Sequence, residues 1–338
     1  MGKNIAYTLF GESHGKGVGI LITGLPPHIP VDFDAIESAL ARRRPHDPYA
    51  TARVEPDPWE ILSGTYKNKT TGDPLVLWIP NKDTKSEDYR AMPFRPGHGD
   101  YTACVKSFAA DDPRGGGHRS GRLSAPLVAA GAIARSVLEK QNIHITAIIA
   151  EIGGETDPKR QIQALKKAKK ERDSLGGKVK ITVCGVPAGL GGTRENSAQG
   201  ALARALYAVG AVKSVAFGAG EEAARLKGSE NNDPFIEENG RIHTETNRAG
   251  GIVGGITTGE AIEITVAVKP TPSIGKKQHT VDRKGNNTDL EITGRHDIAI
   301  VRRIPVVLES ATALVLLDLW IERQKEIALY RAIKGDNQ

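Results

Sequence analysis

Three short segments place histidine beside glycine and beside side chains that hold anions or accept protons. Residues 11–15 read GESHG, residues 95–100 read RPGHGD and residues 294–297 read GRHD. Glycine lets the backbone approach a ligand closely, and histidine exchanges protons readily near neutral pH. Each segment alone also fits a structural role, such as an Arg–Asp pair at the surface. Together they predict acid–base chemistry on an anionic ligand.

A fourth segment concentrates arginine and glycine. Residues 114–122 read RGGGHRSGR, and successive glycine amides with closely spaced guanidinium groups form a cradle for phosphate or carboxylate. The alternative is a flexible turn with solvated arginines, which does not need such a density of arginine. Residues 247–255 are also rich in glycine, but they lack the GxGxxG spacing of a dinucleotide-binding fingerprint.

The charge of the chain is consistent with an anionic partner. Lysine and arginine number 46 against 40 acidic residues, which gives a formal net charge of +6. Such an excess suits nucleic acid or a small phosphorylated or carboxylated ligand, and it also keeps a protein soluble. No nucleic-acid reading module or set of stacking aromatic residues is visible, so the sequence favours the small ligand.

Other features limit the cellular setting. The apolar run at residues 311–320 is interrupted by Asp318 and is too short to span a bilayer. The first ten residues lack the apolar region of a signal peptide. Cys104 and Cys184 lack the paired spacing of disulfide frameworks or cysteine metal sites. We therefore expect a cytoplasmic protein without membrane association and without a metal.

The hydrophobic pattern predicts strands gathered in groups around helices. Strands are expected at residues 18–23, 59–64, 75–79, 143–152, 179–183, 212–217 and 261–268. Helices are expected at residues 32–44, 124–141, 158–172, 196–209 and 308–333. This grouping favours α+β layers over a doubly wound parallel sheet, and no linker divides residues 1–338, which predicts one domain.

Taken in this order, the segments resemble the chorismate synthase family, from Phe10 through the region of Ala311. Further short motifs support the resemblance: RRRP at 42–45, EPD at 55–57, SG at 63–64, TTG at 70–72, GVPAGLG at 185–191 and GS at 228–229. The resemblance implies a β-α-β sandwich, usually assembled as a homotetramer, that binds reduced FMN and 5-enolpyruvylshikimate 3-phosphate. The implied reaction is a 1,4-anti elimination of phosphate that forms chorismate with no net redox change.

The resemblance also implies roles for individual residues. His14 would protonate the departing phosphate, His98 would hold the protonation state of the flavin, and Asp297 would act near flavin N5 in removing the proton. The implied substrate anchors are Ser13, Arg43, Arg95, Ser120, Arg122 and Arg295. The implied flavin contacts are His118, Arg119, Ser120, Gly210, Ala211, Gly254, Lys269, Pro270, Thr271, Pro272, Ser273 and Arg295.

The chain departs from the family pattern at two places. His118 stands where the family usually has arginine, and the stretch from Pro45 to Arg53 is about one residue shorter than usual. Arg43 matches a family position that contacts NADP. The flavin would therefore be reduced either by NADPH bound to this chain or by an external flavin reductase. Two alternative functions stay open at this point: an FMN-binding relative with altered activity, and a basic nucleic-acid-binding protein.

Overall fold

Two four-stranded antiparallel sheets flank a layer of helices in the computed structural model, which describes residues 2–44, 49, 56–82, 92–292 and 297–335. The strands of the first sheet are β1 (Ala6–Gly11), β2 (Gly17–Thr23), β3 (Glu60–Ser63) and β6 (Leu75–Pro80). Those of the second sheet are β7 (His144–Ile152), β8 (Gly177–Cys184), β9 (Val212–Phe217) and β14 (Ile262–Val268). The first sheet has the order β1-β2-β6-β3 and the second the order β7-β8-β14-β9.

Four short strand pairs and seven α-helices accompany the two sheets in the described part of the chain. The pairs join β4 (Thr65–Tyr66) to β5 (Lys69–Thr70), β10 (Phe235–Glu238) to β11 (Arg241–Thr244), β12 (Ile252–Val253) to β13 (Ile256–Thr257), and β15 (Gln278–Val281) to β16 (Asn287–Leu290). The helices are α1 (Phe33–Arg43), α2 (Asp100–Lys106), α3 (Ser124–Glu139), α4 (Pro158–Lys170), α5 (Ala198–Tyr207), α6 (Gly228–Asn231) and α7 (Pro305–Lys334).

The helices α3 and α7 form the centre of the sandwich. α3 packs on β2 and β6 of the first sheet, α7 packs on β7 and β8 of the second, and the two helices pack on each other. Their backbones approach closely at Gly131, where an added Cβ would lie 2.2 Å from the Cβ of Ser310. The expected α+β sandwich of β-α-β layers is therefore confirmed.

Local sequence signals explain the elements that the hydrophobic pattern predicts. The carboxylate of Asp32 accepts a hydrogen bond from the Ala35 backbone N at 2.9 Å, which caps the start of α1. In β6, Leu75, Leu77 and Ile79 are fully buried while the residues between them face the other side of the sheet. Both signals depend only on neighbouring residues, so they are readable from the sequence.

The hydrophobic pattern did not predict β1, α2, α6 or the short hairpins. β1 has intermediate burial at most of its positions, so its sequence lacks a clear alternation of apolar and polar residues. α2 begins after Gly99, which has no side chain that could cap the helix. Within the described parts of the chain, no helix is long and apolar enough to cross a membrane.

The start of the chain is fixed to α7 by a buried carboxylate. Asp318 is 6% exposed. It accepts hydrogen bonds from the backbone N atoms of Lys3 at 3.1 Å, Asn4 at 2.8 Å and Ile5 at 2.7 Å. Hydrogen bonds to an ionised acceptor are stronger than those between neutral groups. Asp318 therefore joins the beginning of the first sheet to the last helix.

We expect Asp318→Ala to lower the free energy of unfolding by about 2–4 kcal/mol, because the three N–H groups lose a charged acceptor. Urea unfolding of the purified protein measures this change. The matched control is Glu322→Gln, because the Glu322 carboxylate accepts from the Asn4 side chain at 3.0 Å but its side chain is 32% exposed, far more than Asp318. The control should lose less than about 1 kcal/mol. Equal losses for the two variants would contradict the special role of Asp318.

Candidate active site

A cavity of about 450 Å³ opens between the loops that leave the two sheets and the start of α7. Its described lining includes Ser13 and Asp57 and four stretches of loop, which fall within residues 95–100, 115–124, 209–211 and 269–273. The end of α1 and residues 297–307 complete the wall. Cavities of this size hold a small-molecule ligand or cofactor.

The described wall of the cavity is strongly positive. Seven lining side chains are cationic and three are carboxylates, which leaves an excess of four positive charges. The cations are Arg43, Arg44, Arg95, Arg119, Arg122, Lys269 and Arg303, and the carboxylates are Asp57, Asp100 and Asp297. Low-dielectric walls focus such a field, so the cavity attracts a multiply charged anion.

Asp57 lies between two arginines of the cavity wall, Arg43 and Arg122. Its carboxylate accepts a hydrogen bond from Arg43 Nη2 at 3.0 Å and another from Arg122 Nη1. Burial alone raises the pKa of Asp57, but the charges and hydrogen bonds of the two arginines outweigh burial and hold it below its usual value. Burial lowers the pKa of Arg43 to about 10, with partial compensation from Asp57. Asp57 and Arg43 are therefore both ionised at neutral pH.

The glycine-rich segment brings the backbone close to His14. Gly115, Gly116 and Gly117 have φ values of 57°, 84° and 54°, a region that L residues with side chains rarely adopt. A Cβ at Gly115 would lie 2.5 Å from both Cδ2 and Nε2 of His14. His14 is 7% exposed and packs behind Gly115, which lines the cavity together with Ser13. A larger residue at position 115 would displace the imidazole.

The hydrogen bonds of His98 define its tautomer. Nδ1 lies 3.1 Å from the carbonyl oxygen of Pro96, which can only accept, so Nδ1 carries the hydrogen. Nε2 lies 3.0 Å from Ser273 Oγ and accepts its hydroxyl hydrogen. Burial, followed by the cation of Arg95, lowers the pKa of His98 to about 4. The imidazole is therefore neutral at physiological pH.

Two loops of the cavity wall are joined beside His98. Lys269 Nζ donates to the carbonyl oxygen of Gly97 at 2.5 Å. A Cβ added at Gly97 would come within 2.8 Å of the Pro272 side chain. Together with the Ser273 hydroxyl, these contacts hold residues 95–99 against residues 269–273. The two segments therefore form one continuous wall, although Lys269 and Gly97 are 172 residues apart in the sequence.

Asp297 and Arg303 occupy the side of the cavity that leads into α7. Arg303 Nη1 donates to Asp297 Oδ2 at 3.1 Å, and Arg303 Nε donates to the carbonyl oxygen of Arg43 at 3.1 Å. Arg303 therefore connects the carboxylate to the end of α1. Elsewhere in the lining, Arg95 forms a two-point contact with Asp100, at 2.6 Å from Nε and 2.7 Å from Nη2. Such forked contacts fix the plane of the guanidinium group.

The cavity brings together most of the residues that the sequence nominated. The lining contains Ser13, Arg43, Arg95, His98, Arg119, Ser120, Arg122, Gly210, Ala211, Lys269, Thr271, Pro272, Ser273 and Asp297. His14 lies directly behind this lining, and Pro270 lies between two lining residues without joining them. Arg295 falls outside the described residues.

Two nominated residues lie away from the cavity wall. The exposed His118 has its Nδ1 3.0 Å from the carbonyl oxygen of Gly11, and it does not line the cavity. Gly254 occupies the turn between β12 and β13, also outside the lining. Their flavin contacts stay predictions that rest on the resemblance.

The sequence did not nominate Asp57, Asp100 or Arg303, which contribute to the wall. Asp57 lies between two prolines, and Asp100 ends the RPGHGD segment. The sequence motif around each residue could therefore have identified it as a candidate. Arg303 carried no such signal, because its contact with the carbonyl oxygen of Arg43 spans 260 residues.

Comparison with known proteins places this geometry in context. The family model for chorismate synthase matches residues 5–321. A chorismate synthase of Thermococcus gammatolerans is 43% identical, with 96% of this chain and 98% of the relative covered. One of Pyrococcus abyssi is 42% identical, with coverage of 94% and 96%. A crystal structure of chorismate synthase superposes with a TM-score of 0.76 at 26% identity, covering 96% of this chain and 93% of the other.

Proposed function

Because the chain belongs to the chorismate synthase family, we propose that the cavity described above is its active site. The protein is a lyase that makes chorismate by eliminating phosphate from 5-enolpyruvylshikimate 3-phosphate. The observation that carries the assignment of the site is the excess of four positive charges in its wall. It is opposite in sign to the substrate, which carries about −4 from two carboxylates and a phosphate of about −2.

The residues of the wall fit a flavin phosphate as well. A requirement for reduced flavin is a property of the family. Thr271 Oγ1 is buried without a hydrogen-bond partner among the described residues, and Arg119 and Lys269 supply positive charge. We propose that these side chains, with Gly210 and Ala211, hold the flavin. When bound, the reduced flavin supplies electron density transiently to the elimination and recovers it.

Three side chains of this chain are suited to the proton steps of the elimination. The C–O bond to phosphate breaks, the C6–H bond loses its proton, and a new double bond forms without net oxidation or reduction. Asp297, as a carboxylate at the wall, accepts the proton. The neutral imidazole of His98 carries its hydrogen on Nδ1 and can accept a hydrogen bond or a proton at Nε2. His14, behind Gly115, donates a proton to the departing phosphate.

A separate reductase supplies the reduced flavin in this proposal. Arg43, which matches an NADP-contacting position of the family, is 6% exposed and donates to Asp57. Its guanidinium faces the cavity that we assign to the substrate, so we do not assign it to a pyridine nucleotide. We expect NADPH with oxidised FMN to support no turnover unless a flavin reductase is added. Turnover with NADPH alone would show that this chain reduces its own flavin.

We also propose a cytoplasmic homotetramer. On the outer face of the first sheet, Phe10 stacks on Trp78 with ring centroids 5.9 Å apart, and Leu62 of β3 is 58% exposed. Phe10, Gly19 and Trp78 are in register across three strands, so this apolar face is continuous. Light scattering coupled to gel filtration measures the mass, and a monomer or a dimer would contradict the tetramer.

The flavin is expected to act catalytically, because the carbon skeleton keeps its oxidation level. Under anaerobic conditions, one equivalent of reduced FMN should support many equivalents of chorismate and phosphate, while oxidised FMN without a reductant should support none. Phosphate release, product absorbance and the flavin spectrum are followed together. Stoichiometric oxidation of the flavin would contradict the elimination. Flavin binding without product would favour a relative with altered activity.

Arg122→Lys should raise the KM for the substrate by roughly 10-fold or more, because a planar guanidinium holds an anion at two points and an ammonium group does not. Steady-state assays with reduced FMN measure KM, and thermal unfolding monitors stability. Arg135→Lys is the control, because Arg135 is a comparable partner of a buried carboxylate, Glu309, outside the cavity. A large loss of stability with unchanged KM would assign Arg122 a purely structural role.

A further inference from the structure

Asp57 combines complete burial with an unusual backbone conformation. It is 0% exposed, and it lies between Pro56 and Pro58. Its φ of +48° falls in the left-handed region, which few residues other than glycine adopt. Proline on each side has its own φ fixed by its ring. Conformations of this kind persist where the surroundings demand them, and they concentrate at functional sites.

The surroundings of Asp57 are two arginines of the cavity wall. The side chains of Arg43 and Arg122 are 8% and 6% exposed, and each donates to a different oxygen of the same carboxylate. Arg122 Nε also donates to Asn81 Oδ1 at 3.0 Å. Arg43 Nη1 donates to Ser124 Oγ at 3.4 Å. Each guanidinium group is thus held from two directions, and Asp57 is the contact that they share.

The carboxylate also separates two like charges. Without it, the buried cations of Arg43 and Arg122 would repel each other in a medium of low dielectric constant. The cations of Arg303 and Arg122 already contribute to lowering the pKa of Arg43, and Asp57 is the group that opposes them.

We propose that Asp57 is a positioning residue, whose carboxylate fixes the guanidinium groups of Arg43 and Arg122 in the wall before the anionic substrate binds. This proposal rests on the proposed function of the cavity. Asp57 itself does not contact the substrate, because both of its oxygens face arginines. Preorganised anchors lose less conformational entropy when a ligand binds, so the benefit is expected in affinity rather than in the chemical step.

Steady-state assays of the full-length Asp57→Asn enzyme with reduced FMN test the proposal. Asparagine keeps the shape of the side chain but presents its NH₂ group to one arginine. We expect KM to rise by roughly 10- to 100-fold, the factor associated with a charge-assisted hydrogen bond, while kcat changes much less. An unchanged KM in the folded variant would overturn the proposal.

The chain offers a matched control in Glu309, a second buried carboxylate shared by two arginines. Its side chain is 4% exposed, it accepts from Arg42 at 2.6 and 2.8 Å and from Arg135 at 3.0 Å, and it lies outside the cavity lining. Glu309→Gln should lower the melting temperature much as Asp57→Asn does, yet leave KM within about twofold. An equal rise of KM in both variants would reduce Asp57 to a structural residue.

Asp57→Glu guards against failure of the first variant to fold. Glutamate keeps the buried charge but displaces the carboxylate by one methylene, so the variant should fold and still show a raised KM. A folded Asp57→Glu enzyme with normal KM would overturn the proposal.

The double variant Asp57→Asn/Arg122→Lys distinguishes this proposal from the proposed function. If Asp57 acts through Arg122, the rise in KM should be smaller than the product of the two single effects. A rise equal to the product would overturn the positioning role. If Arg122→Lys alone leaves KM unchanged, Arg122 is not a substrate anchor, and the proposed function of this part of the wall fails. If Arg122→Lys raises KM and Asp57→Asn does not, only the positioning role fails.

Discussion

Turnover in Asp297→Asn should fall by roughly 10²- to 10⁴-fold, the usual contribution of a positioned acid or base. The amide has the shape of the carboxylate but cannot accept the proton. Its oxygen can still accept the hydrogen bond that Arg303 Nη1 donates to Asp297 Oδ2 at 3.1 Å, so the wall should keep its form. Anaerobic assays with reduced FMN measure turnover, and flavin fluorescence measures binding, which should be retained.

Asp34→Asn is the control for this substitution. Asp34 is an exposed carboxylate in the first turn of α1, outside the cavity lining. Its replacement should leave turnover within about twofold, as expected for a surface site. If Asp297→Asn retains near-normal turnover, another group must remove the proton. If the variant instead loses flavin binding, Asp297 contributes to the form of the site rather than to proton transfer.

His98→Ala should also lower turnover by roughly 10²- to 10⁴-fold, because the site loses the only imidazole in its described lining. Ser273 Oγ would lose its acceptor at 3.0 Å. His279→Ala is the matched control, since that imidazole is 96% exposed on the hairpin of β15 and β16. Turnover and flavin binding are measured as for Asp297. Near-normal turnover in His98→Ala would contradict the assignment.

His98→Ala should also change how the free energy of unfolding depends on pH. The pKa of His98 falls from an ordinary 6.5 to about 4 in the folded protein, so the unfolded chain binds the proton more readily. Stability is therefore fully present above pH 6.5 and decreases progressively as pH falls from 6.5 to about 4. His98→Ala should weaken this dependence. Urea unfolding at several pH values measures it, and an identical slope in the variant would contradict the depressed pKa.

The elements that the sequence predicted correctly are those with capping or alternation patterns among neighbouring residues. The cap of α1 by Asp32 and the alternation in β6 involve residues that are close in sequence, and both elements agree with expectation. β1 depends on pairing with β2, and α2 begins without a side-chain cap, so neither leaves a strong local pattern. Propensity is a weak signal where tertiary contacts decide the structure.

The site was predictable where its residues share a segment with glycine. His98 and Arg122 belong to such segments, and both line the cavity. The interactions that organise them connect distant parts of the chain, such as Asp57 with Arg122 across 65 residues and Ser273 with His98 across 175 residues. No spacing in the sequence encodes those pairs. For that reason Asp57 was recognised only as part of a motif and not as a partner of the arginines.

The attachment of the chain's start to α7 has a consequence for synthesis on the ribosome. Asp318 follows its three backbone partners by 315, 314 and 313 residues, so these hydrogen bonds cannot form until most of the chain has been translated. At roughly 5–20 residues per second, this interval lasts on the order of 15–60 s. Throughout it, the strand that begins at Ala6 lacks its anchor on the last helix. Until α7 emerges, the first strands of the nascent chain therefore lack this contact, and transiently unpaired strands of this kind are prone to aggregation.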